Sequence, residues 1–349
     1  MGILKVKGKM ELKQFWPAGK SDADTAKIIV NVTGEQFMYK PDGSTAFRPT
    51  NAFKDAFIRA TGKSRPRVFK RSKWITIRLQ GIDAPELHYK IYGPVKTSGF
   101  TATKKAAFKR CNGREYRQYQ AETSTVALAR MLGRDRGVQE LECEFITSHV
   151  DKPSDVCDVY GRFVGNIRVR VDGNWVDINH WLLREGYVFP SFYTSMSSAE
   201  VGAVNAEWRK GKKKALRLHS FYSARVLPFD PALQYREKGK VNAAADRGRV
   251  ILPKLYRRQC VHWINVTSKV KDESFIDFII SKSPEDRWIP ITSLKQYQAL
   301  KTDAAKKRFS VPLVQLLHGD VFSREPEDVA FTEKDCFLYD SAGKLISRW

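Results

Sequence analysis

The chain has 349 residues, with 61 lysines and arginines against 38 aspartates and glutamates, which gives a formal net charge of +23. This surplus is typical of proteins that bind polyanions such as nucleic acids. A run of about 18 apolar residues is lacking, so the sequence predicts neither a membrane-spanning helix nor a membrane partner.

The length predicts two folded domains joined by a linker. Residues 1–24 are expected to form an N-terminal arm, and residues 25–225 a first domain. Residues 226–250 are rich in proline, glycine and charge, which is typical of a linker, and residues 251–349 predict a mixed α/β C-terminal domain. The arm and first domain carry 40 basic and 22 acidic residues, against 21 and 16 in the rest of the chain, so most of the positive charge lies in the first domain.

The first chemically informative segment is an apolar strand followed by a turn. Alternating apolar and polar side chains over Trp74–Leu79 predict a half-buried strand with Arg78 on its polar face. Pro85 ends the strand and favours a turn, so Asp83 and Glu86 stand at the strand end and within that turn. Two carboxylates held in this way can be aimed at one hard cation, which prefers oxygen ligands.

A second arginine occurs in a matching context. Tyr160-Gly161-Arg162 precedes another strand-like segment, from Phe163 to Val169. The transition state of phosphoryl transfer spreads negative charge over phosphate oxygens, which planar guanidinium groups bind in bidentate fashion. Two strand arginines with two carboxylates therefore favour phosphodiester chemistry over surface salt bridges alone.

These segments together resemble the staphylococcal nuclease family, whose pattern is Arg-x-x-x-x-Asp-x-Pro-Glu followed later by Tyr-Gly-Arg on a strand. The resemblance covers about residues 25–222 and includes a helix signature from Asp177 to Tyr187 and a basic helix from Ala199 to Leu218. It implies an α+β fold with a five-stranded OB-type β-barrel and helices. It also implies a Ca²⁺-dependent endonuclease that hydrolyses the backbone of DNA or RNA.

The resemblance assigns roles to the residues of the two motifs. It implies that Asp83 binds the metal directly and that Ala84 offers its backbone carbonyl. Glu86 would position or deprotonate the attacking water. Arg78 and Arg162 would bind the phosphate and stabilise the transition state.

Further contacts are implied outside these catalytic positions. Tyr160 would lie beside the nucleotide, and Tyr193 stands approximately where the family places tyrosines that pack on the nucleotide. The family's Asp-Gly-Asp-Thr hairpin has its best local match in Thr33-Gly34-Glu35-Gln36, so Glu35 is expected to replace a metal-binding aspartate. Ca²⁺ tolerates the longer side chain better than Mg²⁺ does, because its coordination shell is more flexible.

Two basic and aromatic insertions, residues 41–73 and 88–116, are longer than the family core requires. One interpretation is a substrate clamp, in which Arg71 and Lys73 contact the nucleic-acid backbone and aromatic rings stack on bases. The other is that the aromatic residues build a small satellite core. The aromatic residues in question are Phe47, Phe53, Phe57 and Phe69.

The C-terminal region resembles no family. Segments from Leu255 to Val266, Ser274 to Ser281 and Ser310 to Leu317 predict helices, and Asp340-Ser341-Ala342-Gly343 predicts a hairpin turn. This region could bind nucleic acid, a partner protein or a second copy of itself, and its nearly balanced charge favours protein contacts.

Two functions remain open at this stage. The first is a metal-dependent nuclease with an accessory C-terminal domain. The alternative is a catalytically weak or inactive scaffold of the same fold that binds nucleic acid or protein. Retention of both arginines and both acids favours the enzyme, whereas the altered Glu35 favours the scaffold.

The cysteines and the N-terminus indicate the compartment. Five cysteines are an odd number without metal-type spacing, which predicts free thiols. Residues 1–14 alternate lysines with apolar residues and lack the apolar core of a signal peptide. A reducing, cytoplasmic location is therefore expected.

Overall fold

A closed five-stranded β-barrel forms the centre of the protein in a computed structural model. The structure describes residues 2–30, 36–58, 67–70, 73–91, 100–235, 245–267, 273–281, 285–333 and 335–349. All five strands of the barrel lie in the first half of the chain. The described strands of that part are, in chain order, β1 (Gly2–Glu11), β2 (Thr25–Ile29), β3 (Phe37–Lys40), β4 (Arg48–Pro49), β5 (Phe57–Ile58), β6 (Phe69–Lys70), β7 (Trp74–Leu79), β8 (Ile82–Asp83), β9 (Tyr89–Lys90), β10 (Glu115–Tyr116), β11 (Glu140–Val150) and β12 (Phe163–Val171).

The remaining strands are short and follow the barrel in the chain. They are β13 (Asn174–Asp177), β14 (Phe189–Pro190), β15 (Phe192–Tyr193), β16 (Arg287–Pro290), β17 (Val311–Pro312), β18 (Leu317–His318), β19 (Val321–Phe322), β20 (Val329–Phe331) and β21 (Leu338–Tyr339). The described α-helices are α1 (Ala102–Cys111), α2 (Ala121–Met131), α3 (Ile178–Arg184), α4 (Ser198–Lys213), α5 (Leu218–Phe221), α6 (Pro253–Thr267), α7 (Phe275–Ser281), α8 (Leu294–Ala299) and α9 (Asp303–Phe309).

The barrel closes because each of its strands has two barrel neighbours. β1 pairs with β2, β2 with β7, β7 with β12, β12 with β11, and β11 again with β1. The β7–β12 pair is parallel and the other four are antiparallel. Along β7, Ile75, Ile77 and Leu79 are buried and the intervening residues are half-buried, as the alternation predicts. The expected α+β fold with a five-stranded barrel is confirmed, and the closed barrel is consistent with the OB type.

Residues 2–11, which the sequence analysis assigned to an N-terminal arm, form β1. This strand pairs with β11 from Gly2 opposite Val150 to Glu11 opposite Glu140. Its alternating apolar side chains, among them Leu4 and Val6, are fully buried in the barrel. The lysine–apolar alternation of this segment is therefore the period-two pattern of a strand.

Aromatic residues of the insertion 41–73 contribute to the core. Phe53 and Phe69 are buried, and their ring centroids lie 5.8 and 5.4 Å from that of Phe37. Phe53 also lies 4.9 Å from the ring of Phe163 in the barrel. Rings packed in this way are not exposed for stacking on bases, so the structure favours the core interpretation for these two residues.

Helices α3 and α4 pack against each other, α3 also contacts β12 and α4 contacts β14, and both helices have capped N-termini. Asp177 accepts a hydrogen bond from the His180 backbone N–H at α3. Ser197 and Glu200 form a reciprocal capping box at α4. The predicted helices at these positions are confirmed, although the second ends at Lys213 rather than at Leu218.

The C-terminal predictions have mixed outcomes. Helices α6 and α7 are confirmed, and the predicted hairpin forms with Gly343 at φ +82°. The helix predicted from Ser310 to Leu317 is wrong. Pro312, which cannot donate a backbone hydrogen bond, lies in strand β17, and a single 3-10 turn follows.

The C-terminal region shares a sheet and an apolar core with the barrel region. β15 pairs in parallel with β20, which pairs with β16, and β21 pairs with β5 of the insertion. One continuous cluster of buried apolar residues includes barrel strands and helices α6 and α7. Among the described helices, none is both long and apolar enough to cross a bilayer. The described cysteine side chains, those of Cys143, Cys157, Cys260 and Cys336, are free thiols, as expected.

Candidate functional site

The candidate site lies where β7 ends, at one rim of the barrel. Arg78 pairs across the sheet with Thr25 of β2 on one side and with Val164 of β12 on the other. Asp24 directly precedes β2 and Arg162 directly precedes β12, so the pairing brings both residues toward Arg78. The Leu79 backbone N–H donates to the Asp24 carbonyl at 2.8 Å, which fixes the start of β2 against the end of β7.

Asp83 is positioned by strand β8. This strand pairs with β14, Asp83 opposite Phe189, and the residue is only 6% exposed. Gly81, in the turn before it, has φ +77°, a conformation that favours glycine. The carboxylate of Asp83 is thus held on rigid backbone at the barrel rim.

Asp22 and Asp24 hold the turn that follows β8. Asp24 Oδ2 accepts from the Ala84 backbone N–H, and Asp22 Oδ1 accepts from the Leu87 backbone N–H, both at 3.2 Å. Each carboxylate therefore satisfies an amide that the turn leaves without a strand partner. The two aspartates add two carboxyl groups to those of Asp83 and Glu86.

Sequence reasoning missed Asp22 and Asp24, although a signal for them exists. The segment Asp22-Ala23-Asp24-Thr25 stands directly before β2 and matches the family's Asp-Gly-Asp-Thr in three of four positions. Ala23 in place of glycine obscures the match. Glu35, the residue expected in this role, lies outside the described residues, as does Arg71.

Arg257 of helix α6 is the second functional candidate that the sequence did not indicate. Its Nη1 and Nη2 donate to the two oxygens of Asp83 at 3.3 and 3.1 Å. Nη1 also donates to Oε1 of Glu86. The guanidinium therefore spans both carboxylates of the motif in a forked geometry.

Arg78 contacts an aromatic and cationic cluster. Its Nη2 donates to the Tyr193 hydroxyl at 2.6 Å, and its guanidinium carbon lies 4.7 Å from the centre of the Tyr193 ring. The ammonium of Lys254 lies 5.8 Å from the same ring and 3.9 Å from the ring of Phe331. Tyr193, predicted as a substrate contact, is thus brought to Arg78.

Arg162 lies in a tight turn that its own sequence specifies. Asp158 accepts from the backbone N–H groups of Tyr160 and Arg162, and from Nε of Arg162 at 2.7 Å. Gly161 has φ +80° within this turn. The Tyr160 ring is 68% exposed, and the Arg162 guanidinium lies 5.6 Å from its centre, so this ring can be reached by a ligand.

The predicted substrate contact Lys73 does not belong to this cluster. It is exposed and precedes β7, five residues before Arg78. At about 3.3 Å of rise per residue this corresponds to roughly 16 Å along the strand. Lys73 therefore lies at the far end of β7 from the candidate site.

The carboxylates of the site differ in protonation tendency. Burial and the neighbouring Asp24 raise the pKa of Asp22 well above its usual range, and burial and Asp83 raise the pKa of Asp24. Burial acts in the same direction on Asp83, but Arg257 and Arg78 outweigh it and lower its pKa. Burial raises the pKa of Glu86 to about 8, with Asp22 and Asp83 adding to the rise and Arg257 opposing it.

These carboxylates are hard oxygen donors of the type that Ca²⁺ prefers. In the described part of the chain, however, no three Asp, Glu, His or Cys side chains are arranged to hold a metal ion. Asp83 and Glu86 are instead bonded to Arg257. The donor chemistry therefore suits a divalent cation, and Arg257 occupies two of the four carboxylates.

The arrangement combines groups that can bind a phosphodiester with a carboxylate that can accept a proton. Arg78 and Arg162 can provide charge-assisted hydrogen bonds to phosphate oxygens. Glu86, in the turn after β8, has a pKa suited to proton transfer near neutral pH. No protein-family model and no curated protein matches this chain.

Proposed function

We propose that this protein is an endonuclease that hydrolyses phosphodiester bonds of DNA or RNA, in the manner of staphylococcal nuclease-like enzymes. The observation that carries the proposal is the position of Arg78 at the barrel rim, where the neighbouring strands β2 and β12 bring Asp24 and Arg162 toward it and the turn after β7 leads to Asp83. The cluster draws on four chain segments. A chance surface salt bridge needs only two residues and would not bring so many segments together.

Arg78 and Arg162 are proposed to bind the scissile phosphate. Arg78 donates a hydrogen bond to the Tyr193 hydroxyl and lies over its ring, and these contacts hold the guanidinium in place. Asp158 similarly orients Arg162 through its Nε atom. Guanidinium groups fixed before the reaction stabilise the charge that develops on phosphate oxygens with little reorganisation.

Glu86 is proposed to accept the proton of the attacking water. The water oxygen forms a bond to phosphorus while the bond to the leaving oxygen breaks, in line with the attack, and solvent supplies the proton for the leaving group. A pKa near 8 suits a base that works at neutral to mildly alkaline pH. Asp22 and Asp24 position this base, because they hold the turn on which Glu86 stands.

A divalent cation, for which Ca²⁺ is the expected choice, belongs to the proposal as a cofactor. Asp83 would hold it together with Asp24, which takes the role first expected of Glu35, and the Ala84 carbonyl is the further ligand that the family resemblance implies. When bound, such a cation adds positive charge beside the phosphate.

Charge on the outer helices supports a polyanionic substrate. Lys105, Lys109 and Arg110 are exposed on α1, and α4 ends in exposed Lys210 and Lys213. Such groups contact the phosphate backbone without reading sequence. Together with the free thiols, these features agree with a nucleic-acid enzyme of the reducing cytoplasm.

One observation favours the alternative function, a binding scaffold without catalysis. Arg257 satisfies Asp83 and Glu86, the residues that the nuclease mechanism needs. If that pairing is permanent, the domain binds nucleic acid or protein and cuts nothing. The C-terminal region would then serve as a partner-binding or self-association surface.

The test is a cleavage assay on labelled denatured DNA and on RNA, with the full chain in saturating Ca²⁺ or in chelator. Arg78→Ala is expected to lower the cleavage rate by about a hundredfold to a thousandfold. Arg170→Ala provides the matched control, since Arg170 is exposed on β12 and forms an ion pair with exposed Glu142. Binding of both substrates without cleavage under either condition would favour the scaffold.

A further inference from the structure

Arg257 reaches the motif carboxylates from a helix that lies far along the chain. Its side chain bonds Asp83 through two parallel hydrogen bonds and Glu86 through a third. The two carboxylate side chains are 8% and 12% exposed, whereas that of Arg257 is 23% exposed. The guanidinium thus covers the carboxylates from the solvent side.

The helix that carries Arg257 is fixed in place. Leu255, Cys260 and Ile264 of α6 are buried in the common apolar core. The Tyr256 hydroxyl donates to the Arg117 carbonyl at 3.0 Å. Motion of the whole helix would break these contacts, so the side chain of Arg257 is the part that can move away from the carboxylates.

A polar bridge sets the distance between α6 and the turn of Glu86. Gln118 Oε1 accepts from the Glu86 backbone N–H at 3.0 Å, and Gln118 Nε2 donates to the Ile251 carbonyl at 2.9 Å. Ile251 lies two residues before the start of α6. The backbone near Glu86 and the backbone that leads into α6 are therefore both fixed, and the long side chain of Arg257 is the part of this contact that can move.

We propose that Arg257 is a side-chain latch that competes with a divalent cation for Asp83 and at the same time occupies Glu86, the proposed base. Arg257 bonds both oxygens of Asp83 and one oxygen of Glu86, so a cation that approaches Asp83 from the side of Arg257 has to displace the guanidinium. The latch rests on the proposed function in one respect, namely that Asp83 binds a metal ion. It adds that the C-terminal region restrains the site until the cation concentration is high enough to displace Arg257.

The adjacent residue provides a matched control. Arg258 is bonded to Asp286, from Nε to Oδ2 at 2.7 Å and from Nη2 to Oδ1 at 3.0 Å. It therefore makes the same kind of forked pair on the same helix, but with a carboxylate outside the candidate site. Arg258→Ala removes an equal charge without opening Asp83 or Glu86.

Calorimetric titration of Ca²⁺ into the full chain tests the latch. Arg257→Ala is expected to bind Ca²⁺ between about tenfold and a hundredfold more tightly than the wild type, because hydrogen bonds to charged groups contribute that much. Arg258→Ala is expected to bind as the wild type does. Unchanged or weaker affinity in folded Arg257→Ala would overturn the proposal.

A second variant covers the case in which Arg257→Ala does not fold, since it leaves two buried carboxylates without a counter-charge. Arg257→Gln keeps an N–H donor for Asp83 but removes the charge, and it is expected to shift the affinity in the same direction. Wild-type affinity in folded Arg257→Gln would likewise overturn the latch.

Parallel cleavage assays separate the two proposals. Tighter Ca²⁺ binding without cleavage by any variant supports the latch and contradicts the nuclease. Cleavage by the wild type with no change in Ca²⁺ affinity in the Arg257 variants supports the nuclease and contradicts the latch.

Discussion

Replacement of Glu86 by glutamine should change how stability depends on pH. Burial raises the pKa of Glu86 from its ordinary 4.5 to about 8, although Arg257 opposes the rise. A carboxyl whose pKa is higher in the folded state holds its proton more tightly there than in the unfolded chain. This tighter proton binding stabilises the folded protein fully below about pH 4.5, and the stabilisation is lost as the pH rises through about 8.

The size of the effect follows from the shift. Each pKa unit corresponds to about 1.4 kcal/mol, so a shift of this size amounts to about 5 kcal/mol in total. The glutamine side chain does not titrate, and the other acids of the site, Asp22, Asp24 and Asp83, are present in both proteins. Relative to Glu86→Gln, the wild type should lose about 1.4 kcal/mol of unfolding free energy per pH unit between about pH 5 and 8.

Urea unfolding at a series of pH values measures this difference. The conservative control is Glu140→Gln, since Glu140 has a side chain that is 44% exposed in its pair with Lys9. The control should follow the wild-type curve. Parallel curves for Glu86→Gln and the wild type would refute the reasoning, because they would mean that Glu86 binds its proton equally well in the folded and unfolded chains.

Three further predictions address other parts of the structure. Arg117→Ala should lower the unfolding free energy by about 3 to 5 kcal/mol, because it leaves Glu122 and Asp246 buried without their shared cation; an unchanged urea midpoint would contradict this. Phe53→Ala should lower stability in thermal unfolding by about 3 to 5 kcal/mol without weakening the binding of single-stranded DNA by the folded protein. A loss of affinity at unchanged stability would instead support the substrate-clamp interpretation of the insertion. Gly161→Ala should cost about 1 kcal/mol because of its positive φ and slow cleavage by displacing the arginine that follows; a wild-type cleavage rate would argue against the role of that turn.

Local patterns predicted the motif elements well. The alternation around Arg78 predicted β7, and the proline after Asp83 predicted the turn that carries Glu86. Strand β12 follows Arg162 as expected, and α6 and α7 lie where apolar side chains recur at helical spacing. In each case the decisive interactions are between residues close together in the chain.

Contacts between distant residues were not predictable in this way. Arg257 bonds Glu86 across 171 residues of sequence, and no local pattern distinguishes it from Arg258, which has a different partner. Asp24 was not predicted because Ala23 stands where the family motif has glycine. Ala23 is 1% exposed, so a small side chain suffices at this position and glycine is not required.

The closure of the barrel by β1 has a consequence for how the chain must assemble. Gly2 to Glu11 pair with residues 140–150, so the ring cannot be completed until β11 is available. Before that moment, β2 and β11 each present an unpaired edge, which is a template for pairing with other chains. In a variant that lacks β1, the barrel should therefore stay open, with two unpaired strand edges. We expect this variant to aggregate, although it retains every catalytic candidate residue.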